Sequence, residues 1–208
     1  MEYIDFTDDN QLCYDCNREL KSKIGIFSNG IWLGKKCAEK RGIHKKNLPD
    51  FTKGILVERS TTSQIPTKDS SSQNSIQHQY NRQECLSYLI LRMKKLSDIK
   101  YMKHESLFEL NKKYEENTLS DEDYFHISNI IKSVRTSNLF VSEKNVYFCY
   151  TVKVLLLKLI KKYPEKNFYK DILHYLQKNA TISKKQFDCI KNDDIKIKYY
   201  SPRTMSST

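Results

Sequence analysis

The chain has 208 residues, 38% of them hydrophobic and 29% charged, with a net charge of +11, five glycines and four prolines. That length fits one large domain or two small ones, and the scarcity of Gly and Pro argues against a β-sandwich or a collagen-like repeat. The longest apolar run, Val146 to Ile160, is interrupted by Lys153 and Lys158, too short and too charged for a bilayer span; the acidic start MEYIDFTDDN offers no apolar core for a secretory signal. These features predict a cytoplasmic protein with no membrane partner.

The first element in chain order is a cysteine site. Cys13 and Cys16 form a C-x-x-C pair, and Cys37 follows after a spacer of 20 residues. Within the spacer, Ser28-Asn29-Gly30 lies between the apolar triplet Ile24, Ile26 and Phe27 and the run Ile31, Trp32 and Leu33, a hairpin signal because Asn-Gly readily takes the positive φ that tight turns require. After it, Cys37-Ala-Glu-Lys-Arg41 reads as a short helix stopped by Gly42. Knuckle, hairpin and cysteine at a helix start form the layout of a treble-clef-like zinc module over residues 1–57. Such a short segment has a poor apolar core, and a tetrahedral Zn²⁺–thiolate site would supply folding energy. The predicted ligands are Cys13, Cys16 and Cys37, with His44 as candidate fourth. On a continuous helix His44 would lie about 10.5 Å from Cys37, so it requires the chain to fold back at Gly42; Asp15, Asp8 and Asp9 are alternatives. No general base stands beside the cysteines, and the zinc is expected to be structural rather than catalytic.

Residues 58–83, ERSTTSQIPTKDSSSQNSIQHQYNRQ, hold too few apolar groups to offset the entropy of ordering. They read as a flexible linker. From 84 to 200 the apolar spacing is helical. Cys85, Tyr88, Leu89, Met93 and Leu96 make one stripe, Leu107, Leu110 and Tyr114 a second, and Tyr124, Ile127, Ile130, Ile131 and Val134 a third. Val146 to Ile160 is apolar nearly all round, which predicts a central buried helix, and Ile172, Leu173 and Leu176 begin the next. Ser120 with Asp123, and Ser183 with Gln186, carry the capping-box spacing that starts a helix. The recurrence of these patterns suggests a duplicated helical unit, 84–134 and 146–192. Residues 201–208 should be a disordered tail. The expected fold class is therefore α+β: a small zinc module followed by a mainly α-helical bundle.

Cys85, Cys149 and Cys189 each fall on an apolar stripe and are expected to be buried thiols. His78, His104, His126 and His174 have no metal-ligand spacing. There is no Gly-rich phosphate loop and no nucleophile-elbow motif, so a non-enzymatic role is expected.

Charge is uneven. Residues 135–208 carry 15 basic and 6 acidic groups, against 8 and 9 in residues 84–134. Such an excess attracts phosphate polyanions, although Lys outnumbers Arg 29 to 7 and Arg is the residue suited to bidentate recognition. The phosphate-contact candidates are Lys153, Lys158, Lys161, Lys162, Lys166, Lys170, Lys184 and Lys185. Tyr199 and Tyr200, beside Lys196 and Lys198, either close the last element or stack on bases.

The stretch CYDCNRELKSKIGIFSNGIWLGKKCAEKRG resembles a small three-cysteine zinc motif of uncharacterised bacteriophage and mobile-element proteins, with the form C-x-x-C-G-R-x-L followed by G-x-G-x-x-C. Cys13, Cys16, Arg18, Leu20, Gly34 and Cys37 match, while Asn17 replaces the usual Gly and Leu33-Gly34 replaces the tail's first Gly-x-Gly. The resemblance covers about 30 residues and implies a bacterial or phage-infected host, without implying an activity. Two functions follow from these readings. One is a nucleic-acid-binding accessory protein of a phage or mobile element, using the zinc module and the basic helices on DNA or RNA. The alternative is a protein-binding adaptor or inhibitor acting on a nucleoprotein complex such as a CRISPR effector, as subunit or as anti-CRISPR.

Overall fold

The computed structural model describes residues 3–6, 11–20, 24–28, 30–44, 48–51, 55–57, 81–192 and 197–199. Most of the predicted linker, residues 58–80, and the predicted tail lie outside the described residues.

Three short strands begin the fold. β1 (Tyr3–Phe6) pairs antiparallel with β2 (Ile24–Ser28), which pairs antiparallel with β3 (Ile31–Leu33). The register sets Ile26 opposite both Ile4 and Leu33, so one face of the sheet is apolar. Gly30, at φ +82°, supplies the left-handed residue of the β2–β3 turn. Helix α1 (Lys35–Lys40) follows directly. It ends at Gly42, φ +74°, where the Gly42 amide bonds the Glu39 carbonyl and the Ile43 amide bonds that of Ala38, each at 3.0 Å. This is a Schellman stop, and it turns Ile43 back onto Ala38 in the same apolar cluster. That small core holds Ile4, Cys13, Ile26, Leu33, Ala38, Ile43 and Leu48.

The helical part consists of α2 (Arg82–Ile90), α3 (Phe108–Glu115), α4 (Asp121–Ser137), α5 (Glu143–Lys162), α6 (Asn167–Asn179) and α7 (Lys184–Asn192). Helix α2 starts inside the segment read as linker, because the Asn81 side chain caps it by accepting the Glu84 amide. It runs on as a π-helical turn, Leu91–Lys95. Both predicted capping boxes form. At α4, Ser120 Oγ accepts the Asp123 amide (3.3 Å) and Asp123 Oδ2 accepts the Ser120 amide (2.9 Å). At α7, Ser183 Oγ accepts the Gln186 amide (3.2 Å) and Gln186 Oε1 accepts the Ser183 amide (2.8 Å).

Helix α5 is the axis of the larger core. Its Val146, Cys149, Val152, Leu156 and Leu159 are buried against α6 and the π-helical turn, and α2 packs on α3 and α4. The helix order α3–α4 parallels α6–α7, each pair ending in a Ser-capped helix, but α4 has 17 residues and α7 has 9. Two further strands, β4 (Ile55–Val57) and β5 (Ile197–Tyr199), pair antiparallel and bring Tyr199 opposite Ile55. Residues 197–199 thus form a strand at the end of the region read as helical.

The small sheet is docked on the bundle. Phe51 is 0% exposed and belongs to the helical core, edge-on to Tyr150. The Asp50 amide donates to Ser87 Oγ (2.8 Å), Tyr147 donates to the Asp50 carbonyl (3.1 Å), and Gln83 donates to that of Leu48 (2.7 Å). Asp5, buried in β1, takes an ion pair from Lys95 at 2.7 Å and a hydrogen bond from the Tyr150 hydroxyl. The Ile4 amide bonds the Pro49 carbonyl (2.9 Å), so both docking segments run side by side.

Candidate functional site

Cys13, Cys16 and Cys37 converge, their Sγ atoms all within 4.8 Å of one another. Local backbone chemistry brings them there. The Cys13–Cys16 turn is closed by the Asn17 amide on the Cys13 carbonyl and by the Cys13 amide on the Arg18 carbonyl, each at 2.8 Å. Asn17 sits at φ +56°. That is the left-handed region, where Asn is among the better-tolerated residues bearing a β-carbon. Leu12 bridges to Glu19, and the Leu20 amide bonds the Gln11 carbonyl (2.9 Å), making the turn a tight loop. The Tyr14 amide donates to the Trp32 carbonyl (2.9 Å), anchoring that loop on β3. Cys37 is brought in by the first turn of α1, whose Cys37 amide bonds the Gly34 carbonyl.

The thiols differ in burial. Cys13 is 1% exposed, Cys37 is half-buried and Cys16 is exposed. Burial alone would raise the Cys13 pKa, but the amides of Gly34, Cys16 and Asp15 and the Cys37 thiol stabilise its thiolate and lower it to about 7. Cys37 is pushed up to about 11, first by its hydrogen bond with Cys16 and then by that with Cys13. One thiol of the group is thus poised to ionise near neutrality while another holds its proton.

Gly34 contributes its amide, 3.2 Å from Cys13 Sγ. A β-carbon there would meet Leu20 at 3.5 Å and Cys13 Sγ at 3.9 Å, ordinary contacts, so packing alone does not demand a glycine. Leu20 and Gly34 therefore lie on the Cys13 side of the cluster.

His44 is exposed and is not among the ligand atoms within that 4.8 Å. The chain does turn back at Gly42, yet it is Ile43 that the turn buries. Asp15, weighed as another ligand, is engaged by Arg41: Nε lies 2.9 Å from Oδ2, and Nη2 bonds Oδ1. Asp8 and Asp9 lie outside the described residues. Three cysteines are thus close enough to hold a metal ion.

Of the eight lysines read as phosphate contacts, Lys161, Lys162, Lys166 and Lys170 surround the corner between α5 and α6, and Lys184 and Lys185 open α7; all six are exposed. Lys162 and Lys166 lie over the Tyr163 ring at 5.1 and 4.6 Å. Lys158 is half-buried. Lys153 is turned inward, donating to the Lys95 carbonyl (2.8 Å) and paired with Asp98 at 2.5 Å. Sequence periodicity does not reveal that pairing, because the two partners are 55 residues apart.

Cys85 and Cys149 are buried as expected, and burial pushes their thiols up to about 11 and about 12. Cys189 is a correction: it is exposed. Phe187 and Ile190 share the buried side of α7, and Cys189, two residues from Phe187, points about 200° away around the helix.

No helix among the described residues is long and apolar enough to cross a membrane. No family model, curated protein or solved structure matches this chain.

Proposed function

We propose that this chain is a non-enzymatic nucleic-acid-binding accessory protein, with a structural zinc site organising the N-terminal segment and lysines of α5, α6 and α7 contacting phosphates. The observation that carries the reading is the surface placement of Lys161, Lys162, Lys166, Lys170, Lys184 and Lys185 within the region where basic groups outnumber acidic ones 15 to 6. Lys153 is left out of this set because Asp98 holds it.

Zinc is the metal the donor set favours. A tetrahedral Zn²⁺ with bonds of about 2.3 Å separates its sulfurs by about 3.8 Å, and the three Sγ atoms, all within 4.8 Å of one another, are compatible with that spacing. Knuckle, hairpin and helix then make a treble-clef-like module. The resemblance of this stretch to phage and mobile-element zinc motifs supports that kind of genetic origin.

The test is fluorescence anisotropy with a labelled 20-nucleotide DNA or RNA at two salt concentrations, with zinc content measured in parallel. Six phosphate contacts predict a loss of about 300-fold in affinity for a single strand, and about 10³-fold for a duplex, between 50 and 200 mM salt. Reversing Lys161, Lys162 and Lys166 to Glu should weaken binding and flatten that slope. Absence of binding at 50 mM salt, with one host protein recovered stoichiometrically and insensitive to nuclease, would transfer the assignment to the protein-binding adaptor or inhibitor of a nucleoprotein complex.

A further inference from the structure

Two surface loops on the helical body are tied together by a buried cation. Arg92, in the π-helical turn, is almost fully buried. Its Nε donates to the Met102 carbonyl at 2.7 Å, Nη2 to the Tyr101 carbonyl at 3.2 Å and Nη1 to the Tyr88 hydroxyl at 2.9 Å. Tyr88 in turn donates to the Val141 carbonyl at 2.8 Å. One guanidinium and one phenol thus link the loop at residues 101–102 to the 3₁₀ turn Leu139–Val141.

Each of these loops presents a ring to solvent. Tyr101 is 46% and Phe140 39% exposed, and the rings stack with centroids 5.3 Å apart and planes 25° apart. Leu139 is exposed beside Phe140. Tyr101 sits at φ +70°, a conformation unfavourable for a residue with a β-carbon. Holding a tyrosine in a left-handed backbone opposes folding, and both rings so fixed keep more than a third of their surface in water. What the arrangement achieves is a pre-oriented aromatic pair in water. A π-helical insertion in a helix often marks such a functional position.

The surroundings of the pair are basic. Lys100 Nζ lies over the Tyr101 ring, 4.8 Å from its centroid, an exposed cation that must swing aside for a base to stack on that ring, and Lys103 and His104 are exposed just after it. The neighbouring acid Asp98 is bound by Lys153 and Gln177; Glu105 is exposed close by.

We infer that Tyr101 and Phe140 form a stacking platform for the bases of single-stranded nucleic acid, with Lys100 and Lys103 meeting its phosphates. A flat π-face with negative charge at its side suits this surface, and a duplex would hide the base faces that the rings need. The inference rests on the nucleic-acid reading above and narrows it to strand type and to a second contact region.

The experiment uses the full chain and a 12-nucleotide oligothymidylate carrying one 2-aminopurine, its RNA counterpart and the matching DNA duplex. Tyr101→Leu and Phe140→Leu keep apolar volume and remove the ring; thermal melts of both should stay within a few degrees of the parent. A Tyr101→Gly variant, which relieves the positive φ, gives a stable ring-less control. The expected result is binding of single strands about tenfold weaker in each variant, with loss of 2-aminopurine quenching and an unchanged salt slope. Affinities within twofold of the parent in folded variants, or equal binding of duplex and single strand, would overturn the platform while leaving the lysine interface standing. Failure of the parent chain to bind any of the probes at 50 mM salt would overturn both.

Discussion

Phe51 tests whether the cysteine-bearing segment and the helices melt as one unit. Its ring is fully buried in the helical core, edge-on to Tyr150 at 5.6 Å and under the Lys95 ammonium at 5.6 Å. A phenylalanine buries roughly 150–250 Å², worth about 4–6 kcal/mol at 25 cal/mol per Å² measured against an extended chain. Truncation to Ala at buried Phe sites costs about 3–5 kcal/mol, the cavity included. Here the cost should lie near the upper figure, because neighbours bonded through Asp5 and Asp50 hold the two sides of the cavity apart. For a chain of this size each kcal/mol moves the midpoint by roughly 2–4 °C, so Phe51→Ala should lower Tm by roughly 10–20 °C. Calorimetry is the assay, and it should show one transition displaced as a whole. A main helical transition within 2 °C of the parent, with or without a small early component, would refute the docking argument.

Further outcomes follow from the same contacts. Chelation should lower the midpoint of the parent protein and have no effect on a Cys13→Ser/Cys16→Ser/Cys37→Ser chain, because metal-binding energy is folding energy in such a segment; differential scanning with and without chelator checks it. Since Cys37 is raised to about 11 and Cys13 lowered to about 7, metal binding must displace a proton from Cys37 throughout the range below about pH 11 and one from Cys13 as well below about 7, so zinc affinity should fall as pH drops and fall more steeply below about 7, measurable by competition with a chromophoric chelator. Ser120→Ala and Ser183→Ala should each cost about 1 kcal/mol in urea unfolding; no change in either would contradict the observed caps. The Asp123 carboxyl is held below its usual pKa by the Lys113 ammonium at 2.7 Å and by the Ser120 amide. A depressed folded-state pKa means a contribution present above the unfolded value near 4 and lost as pH falls through the folded one. Asp123→Asn should therefore be less stable than the parent at pH 7, with the gap closing below about pH 4; a constant gap from pH 7 to pH 2 would exclude that carboxylate as its source.

What could be read without coordinates was local. The C-x-x-C pair, the Asn-Gly turn and the Gly42 stop specify knuckle, hairpin and helix within 30 residues, since each rests on backbone bonds between near neighbours. The caps at Ser120 and Ser183, three residues from their partners, were legible for the same reason, as was the buried α5, whose apolar residues run around all its sides. Helix periodicity assigned the wrong face to Cys189, since one short stripe leaves the buried arc ambiguous by a position or two. Tertiary structure alone decided which parts meet. Asp5 and Lys95 are 90 residues apart, Asp5 and Tyr150 145, and β4 finds its partner in residues 197–199. Nothing in a local pattern distinguishes an acidic residue facing water from one that will be buried against a lysine and a phenol, and Arg92 and Lys153 looked like any other surface cations. Burial and pairing are properties of the packed whole. They depend on which apolar surfaces the chain brings together, and only after that packing do the charges caught between them acquire partners.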